Sequence, residues 1–321
     1  KKYNFDFIFN KINQLKKLKV LLIGETIIDQ YIFGEVLGKS GKEPHLVLKE
    51  GTKENYLGGA AAVANHLSTF CKEVKFVTLA GEEKDNLNFI KRSLKKNIKV
   101  KFFNKKNSPT IIKKRFIDRI SQSKLLGVYS INEENLQKNL ENRFINCIKK
   151  YASSCDLILV SDYGHGFISN KAAKIFSSSK KFFSLNAQIN ASNRGYHSLR
   201  KYKKIDNLII NENELRHEMR DKVGNIEKLS LKLVKDLKVN RLTVTRGKNG
   251  AILIEKNGKT VSSPAFANKV IDKVGAGDAM LVVISLCMKM KMPSDLVLFL
   301  GSLAGATAVE NIGNSKFINK N

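Results

Sequence analysis

Acidic side chains are scarce in this chain: 29 Asp and Glu stand against 57 Lys and Arg, a formal net charge of +28. A surplus of that size can mark a nucleic-acid surface. Arginine is scarce as well, because ten of the basic residues are Arg and 47 are Lys. Arg is the better reader of guanine and phosphate geometry. The lysines are spread along the whole chain, and no aromatic stacking motif accompanies them. The expectation is a lysine-coated surface with no specific nucleic-acid partner, whose positive field helps attract anionic substrates. Long apolar runs are missing: the candidate around Met280–Met288 is short and ends in Lys289, so nothing reads as a helical membrane span. No apolar secretory segment opens the chain. The first residue is Lys, not Met, which fits a piece of a longer protein. Cys71, Cys147, Cys155 and Cys287 form no CxxC pair and have no His at ligand spacing. That argues against a zinc site or a disulfide framework and for idle thiols in a reducing cytoplasm. No P-loop (GxxxxGK followed by Ser or Thr) offers a phosphate cradle.

What is present is an α/β pattern. The 321 residues suit one large α/β domain or two small ones. Lys19–Gly24, Val74–Ala80, Asp156–Ser161, Lys181–Leu185, Asn207–Ile210 and Arg241–Thr245 read as buried strands. Helical patterns start near Gly58, Asp85, Asn132, Gly275 and Ser294, and another covers residues 225–238. Asn257-Gly258 joins the halves of a hairpin. Such alternation calls for a parallel sheet covered on both faces. The strand-like pieces near 30–50 and 110–129 do not fit it and are expected to form a small β-lid. Residues 1–18 read as a polar, basic extension, 19–315 as the main domain and 316–321 as a tail.

The stretch with most chemistry is Asp272-Lys273-Val274-Gly275-Ala276-Gly277-Asp278. Small residues at 275–277 allow close approach of a substrate to the backbone. The apolar periodicity after Asp278 starts a helix, whose bare N–H groups and dipole stabilise an anion. An Asp in that first turn can act as a general base. Spacing alone leaves two readings open: a base, or an acid at a helix start, where acids are common.

Gly275-Ala276-Gly277-Asp278-Ala279 resembles the C-terminal signature of the ribokinase-like (PfkB) sugar kinases. Gly24-Glu25 with Asp29 resembles that family's first-strand element, and Gly58-Gly59 its glycine pair at the sugar. Asn211 and Glu214 match its Asn-x-x-Glu motif, and Thr245-Arg246-Gly247 with Gly250 its strand-end motif. The five elements occur in the family's order, from about residue 19 to 315. Asp162-Tyr163-Gly164-His165-Gly166 is similar to the segment of kinases of heptose 7-phosphate type. Gln188–Tyr202, with Asn190, Asn193, Arg194 and Gly195, resembles kinase modules fused to cytidylyltransferase-like domains.

The resemblance implies a three-layer α/β ribokinase-like fold with a mostly parallel sheet and a small β-lid. It implies an ATP- and Mg²⁺-dependent kinase of a sugar or sugar phosphate, a heptose 7-phosphate favoured, and a homodimer paired through its lids. Another sugar or a nucleoside is the alternative acceptor, and a non-catalytic nucleotide-binding module the alternative role. Asp278 would be the base, and Gly275, Ala276 and Gly277 would hold the transferring phosphoryl oxygens. Asp29, Gly58, Gly59, Asp162 and Arg194 would bind the acceptor. Asn211, Glu214, Thr245, Arg246, Gly247, Gly250 and Asp272 would line the nucleotide site, with Glu214 reaching Mg²⁺ through water. Two departures stand out: Ala62 replaces the family's Asn beyond the glycine pair, and Lys273 its Thr after the signature Asp. Tyr163 reads as a packing residue and His165 as a polar loop residue.

Overall fold

The computed structural model describes residues 3–319. The first two residues of the expected extension and the last two of the expected tail lie outside them. The central sheet is built from β1 (Lys19–Lys39), β3 (Glu73–Ala80), β4 (Ile98–Asn104), β7 (Leu157–Asp162), β8 (Phe182–Ala187), β9 (Asn207–Asn211), β10 (Arg241–Thr245), β11 (Ala251–Glu255) and β12 (Thr260–Ser263). Their spatial order is β4-β3-β1-β7-β8-β9-β10-β11-β12. All neighbours pair in parallel as far as β10, after which β11 and β12 are antiparallel.

Period-two alternation divides the strand side chains between two apolar layers. Leu21 and Ile23 join Ile158 and Val160 on one face; Val20 and Leu22 join Leu157 and Leu159 on the other. A sheet apolar on both faces needs helices on both. The first face is covered by α4 (Lys138–Ala152), α5 (Asn170–Ser178), α6 (Glu212–Met219) and α7 (Ile226–Leu237). The second is covered by α2 (Ala60–Ser68), α3 (Lys84–Ser93), α8 (Ala276–Lys289) and α9 (Ser294–Val309). The expected polar extension contains α1 (Phe5–Gln14), whose Ile8 and Ile12 pack against this second layer.

The lid grows out of the central sheet. β1 does not end at Gly24. It runs on to Lys39 and pairs with β2 (Leu46–Gly59) on one side and β5 (Ile111–Asp118) on the other. β6 (Lys124–Ser130) completes the order β2-β1-β5-β6. Residues 30–56, expected as an irregular or small-sheet insertion, are thus mostly two long paired strands. Register shifts at Ile32/Gly34 and Val36/Gly38 accommodate their twist. Alternation puts Ile27, Asp29 and Tyr31 of β1 on one lid face, with Lys113 and Arg115 of β5.

Two local expectations shift. Gly58 and Gly59 close β2 instead of forming a free turn. The helix expected from Asn132 begins at Lys138, because the Lys105 ammonium binds the carbonyls of Asn132 and Glu134 and holds them out of a helix.

Candidate active site

Gly275 has φ +91, and a Cβ there would strike the Asn314 side chain. Only glycine enters that conformation without strain, so the chain can turn sharply into α8. The first-turn N–H groups have no acceptor within the helix. Gly277 is exposed, with open space where its Cβ would be. Asp278, one residue on, is buried. The Tyr163 hydroxyl donates to Asp278 Oδ1 across 2.9 Å. Burial pushes the Asp278 carboxyl up to about 7; the Tyr163 hydrogen bond opposes the rise, the Asp29 charge adds to it, and the Lys113 charge opposes it. A carboxylate poised near neutrality is what general-base chemistry at physiological pH requires.

The lid supplies the facing groups. Asp29 Oδ1 accepts from Arg115 Nη1 at 2.6 Å, with both side chains largely buried. A Cβ on Gly58 would run into Asp29 Oδ2, and Gly59 has φ +58. The glycine pair therefore lets β2 pass close to Asp29 and turn into α2. Lys113 Nζ lies 5.9 Å from the Tyr163 ring centroid and 5.5 Å from that of Tyr129. Burial pushes the Lys113 ammonium below its usual range, Asp29 opposes the shift and Arg115 adds to it. Lys113 has no carboxylate partner at ion-pair distance among the described residues. Sequence reasoning missed Lys113 and Arg115. The available signal was their spacing of two in a strand, which puts both on one face. Tyr163 packs with Ile27 and Ile111, as its packing reading expects, and its hydroxyl in addition donates to Asp278.

The turn after β7 is held from beneath. Asp162, 1% exposed, accepts from Tyr202 Oη at 2.6 Å and from the Gly164 N–H at 3.0 Å, and lies 2.7 Å from Lys201 Nζ. Burial pushes the Asp162 carboxyl up, but Lys201, His197 and Tyr202 outweigh it and hold it at about 2. Its contacts are internal, so it anchors the turn instead of facing the cleft. Glu25 accepts the N–H groups of Tyr163 and His165 at 3.0 and 3.1 Å. Burial, aided by the Asp162 charge, pushes Glu25 up to about 7. Asn190 and Asn193 both donate to the Tyr163 carbonyl at 2.9 Å. Burial and the Lys113 charge push the His165 ring down to about 4.

The other motif residues gather at the C-terminal ends of β9 and β10, the usual ligand side of an open parallel sheet. Thr245 pairs with Asn211 across these strands. Asn211 caps α6: its side chain accepts the Glu214 N–H, and Glu214 accepts the N–H groups of Asn211 and Ile189. Burial pushes Glu214 up to about 7. Arg194 shares a cleft of about 720 Å³ with Asn211, Glu214 and Arg220, apart from the Asp278–Asp29 centre. Arg246 Nε donates to Glu212 across 3.3 Å. Gly247 and Gly250 bound a single 3₁₀ turn, where a Cβ on Gly250 would strike the Ser263 carbonyl. Asp272 lies under the lid, bonded to Tyr31 and Lys124. Ala62 is fully buried in α2, and Lys273 is exposed. No group of three or more His, Cys, Asp or Glu suited to a metal occurs among the described residues.

The fold is that of the ribokinase-like kinases. The Escherichia coli phosphofructokinase-2 structure with substrates and products superposes with a TM-score of 0.73 at 16% identity, covering 94% of this chain and 95% of that one. The Arabidopsis thaliana ribokinase complexed with ribose and ATP gives 0.68 at 18%, covering 92% and 94%. The chain belongs to the pfkB family of carbohydrate kinases, whose family model matches residues 17–321. Among curated relatives, the bifunctional protein HldE of Campylobacter fetus is 27% identical over 305 residues, 93% of this chain and 64% of that protein. HldE of Aliarcobacter butzleri is 28% identical over 313 residues, 94% and 62% respectively. The chain thus spans about three fifths of the length of these relatives. No helix among the described residues is long and apolar enough to cross a membrane.

Proposed function

We propose that the chain transfers the γ-phosphoryl group of ATP to a hydroxyl of a phosphorylated sugar, a heptose 7-phosphate being the favoured acceptor. The observation that carries this reading is the buried Asp278 at the open N-terminus of α8, beneath a lid face bearing Asp29, Lys113 and Arg115. Asp278 takes the proton of the acceptor hydroxyl as its oxygen bonds to the γ-phosphorus. The bond from that phosphorus to the bridging oxygen breaks, and ADP leaves. The N–H groups of Gly275, Ala276 and Gly277 hold the oxygens of the transferring group, which is mainly electrostatic work. Asp29, braced by Arg115, orients the sugar hydroxyls.

Magnesium would neutralise the charge on the phosphates and keep much of its own water. Asn211 and Glu214 fit that role at a distance, since both Glu214 oxygens already accept backbone N–H groups. Contact would run through water on their remaining lone pairs. Thr245, Arg246, Gly247 and Gly250 line the nucleotide side; Arg194, expected at the acceptor, lines the cleft of Asn211 and Glu214 instead.

Lys113 favours a phosphorylated acceptor over a neutral one. A part-buried ammonium without a carboxylate partner is costly, and a substrate phosphate would complete it. ADP release with Mg²⁺-ATP against heptose 7-phosphate, other sugar phosphates, free sugars and nucleosides tests the proposal. The expected result is turnover with phosphorylated sugars and a preference that drops about 10–100-fold in Lys113→Met, the size of a charge-assisted hydrogen bond. Preference for a free sugar or a nucleoside would replace the acceptor. ATP binding with no turnover on any acceptor would leave a nucleotide-binding module.

The proposal includes a homodimer. The lid face turned from the cleft exposes Leu126 (59%) and Val128 (43%), which a second copy would cover. Leu126→Lys should then yield monomers in sedimentation. A fused nucleotidyltransferase-like domain, implied by the resemblance of Gln188–Tyr202, belongs to the same proposal, and the mass of the native chain tests it.

A further inference from the structure

The loop leading into α8 is fastened to the lid by one carboxylate. Asp272 is 5% exposed. Its Oδ2 accepts the Tyr31 hydroxyl at 2.6 Å and the Gly313 N–H at 3.2 Å. Its Oδ1 accepts Lys124 Nζ at 2.6 Å and the Val274 N–H at 3.2 Å. A carboxylate offers about four lone-pair sites, so these donors satisfy it. Tyr31 belongs to β1 and Lys124 to β6, two strands of the lid, while Val274 belongs to the loop itself. The loop is fixed from the other side too, since the N–H groups of Ile271 and Asp272 both donate to the Val309 carbonyl.

The contact reaches the acceptor side of the cleft. Lys124 Nζ lies 5.7 Å from the Tyr31 ring centroid, and the Arg115 guanidinium carbon lies 5.3 Å from it. Arg115 is the partner of Asp29. A continuous line of contacts therefore runs Asp29–Arg115–Tyr31–Asp272–Val274 and ends one residue before Gly275. A carboxylate so occupied has no free face for a nucleotide phosphate, and its charge would repel one.

We propose that Asp272 is a latch: a positioning residue that locks the lid strands to the Gly275–Gly277 turn through Tyr31 and Lys124, so that acceptor and phosphoryl group are brought into register together. Its kinetic consequence rests on the kinase reading above. An unlatched lid leaves the acceptor free to shift and admits water to the phosphoryl group. Misplacement of about 1 Å can cost on the order of 10²-fold in rate, and water exclusion is a common task of closing lids.

Lys124→Met, Lys124→Arg, Tyr31→Phe and Asp272→Asn in the full chain test the latch. Lys124 is 44% exposed, so its variants should fold even if the buried Asp272→Asn does not. For Lys124→Met the latch requires three results together. The kcat/KM for the sugar falls about tenfold or more, ATP hydrolysis without sugar rises relative to phosphoryl transfer, and ATP affinity stays within about twofold. Lys124→Arg restores most of the loss. Wild-type kinetics in Lys124→Met overturn the latch. So does a tenfold weaker ATP affinity in Asp272→Asn with Lys124→Met unaffected, which makes Asp272 a nucleotide ligand. Hydrogen exchange separates the latch from the kinase reading. If the wild type transfers phosphate to no sugar, that reading fails, and the latch still requires faster exchange at 273–277 and 124–130 in Lys124→Met than in wild type. Unchanged exchange overturns it.

Discussion

The Tyr163 hydroxyl and the Asp278 carboxylate, 115 positions apart in sequence, meet across 2.9 Å in a buried hydrogen bond. The bond sets the working range of the proposed base. Burial pushes Asp278 toward its protonated form, and Tyr163 favours the ionised form. A base that titrates near 7 must lose its proton to act. The kcat/KM of the wild type should therefore rise with pH up to about 7 and level off above it. Asp278→Ala should be lower by about 10²–10⁴-fold and lack that limb. A pH–rate profile of both proteins checks this.

Tyr163→Phe removes the stabilising donor and should move the acidic limb upward. A hydrogen bond worth about 0.5–1.5 kcal/mol corresponds to roughly half to one pH unit. Activity lost at pH 7 should largely return at pH 9. A uniform loss at every pH would mean that the hydroxyl does something other than tune Asp278.

The same titration has a stability consequence of opposite sense. The ordinary carboxyl pKa is 3.8 and the folded one about 7. Between these values the folded protein holds the proton and the unfolded chain does not. Stability from this group is thus present below the lower value and is lost as pH rises through the upper one. Asp278→Asn should unfold at higher urea concentration than wild type at pH 8, by roughly 1–4 kcal/mol, and the gap should close toward pH 4. Denaturant melts at the two pH values test it.

Gly58→Ala should raise the KM for the sugar by about 10–100-fold while leaving ATP affinity unchanged. The new methyl would push the Asp29 carboxylate off Arg115. Parallel titration with ATP and kinetics with sugar separate the two. A loss of ATP binding instead would mean that the strap of β2 had moved as a whole.

The sheet was legible because apolar strand runs need no partner information: Leu21, Leu22 and Ile23 are buried whichever face they take. The lid was legible only as strand-like pieces outside the main alternation. Its length was hidden, since β1 passes from one sheet to the other at Gly24–Thr26 with no local break. The start of α8 was readable from glycine and periodicity together. The duty of Asp162 was not, because it depends on Lys201 and Tyr202 folding beneath it.

Local order along the chain determined where strands begin, which glycines escape side-chain strain and where an acid meets a helix start. These depend on backbone sterics and on periods of 2 and 3.6 residues. The tertiary structure alone decided which groups meet. Asp29 with Arg115, Asp278 with Tyr163, and Asp272 with Lys124 and Tyr31 are contacts across 86 to 241 positions. Strand order and register set them, and no local period encodes either. Burial then decided the charge states, because desolvation exists only once the surrounding chain has packed.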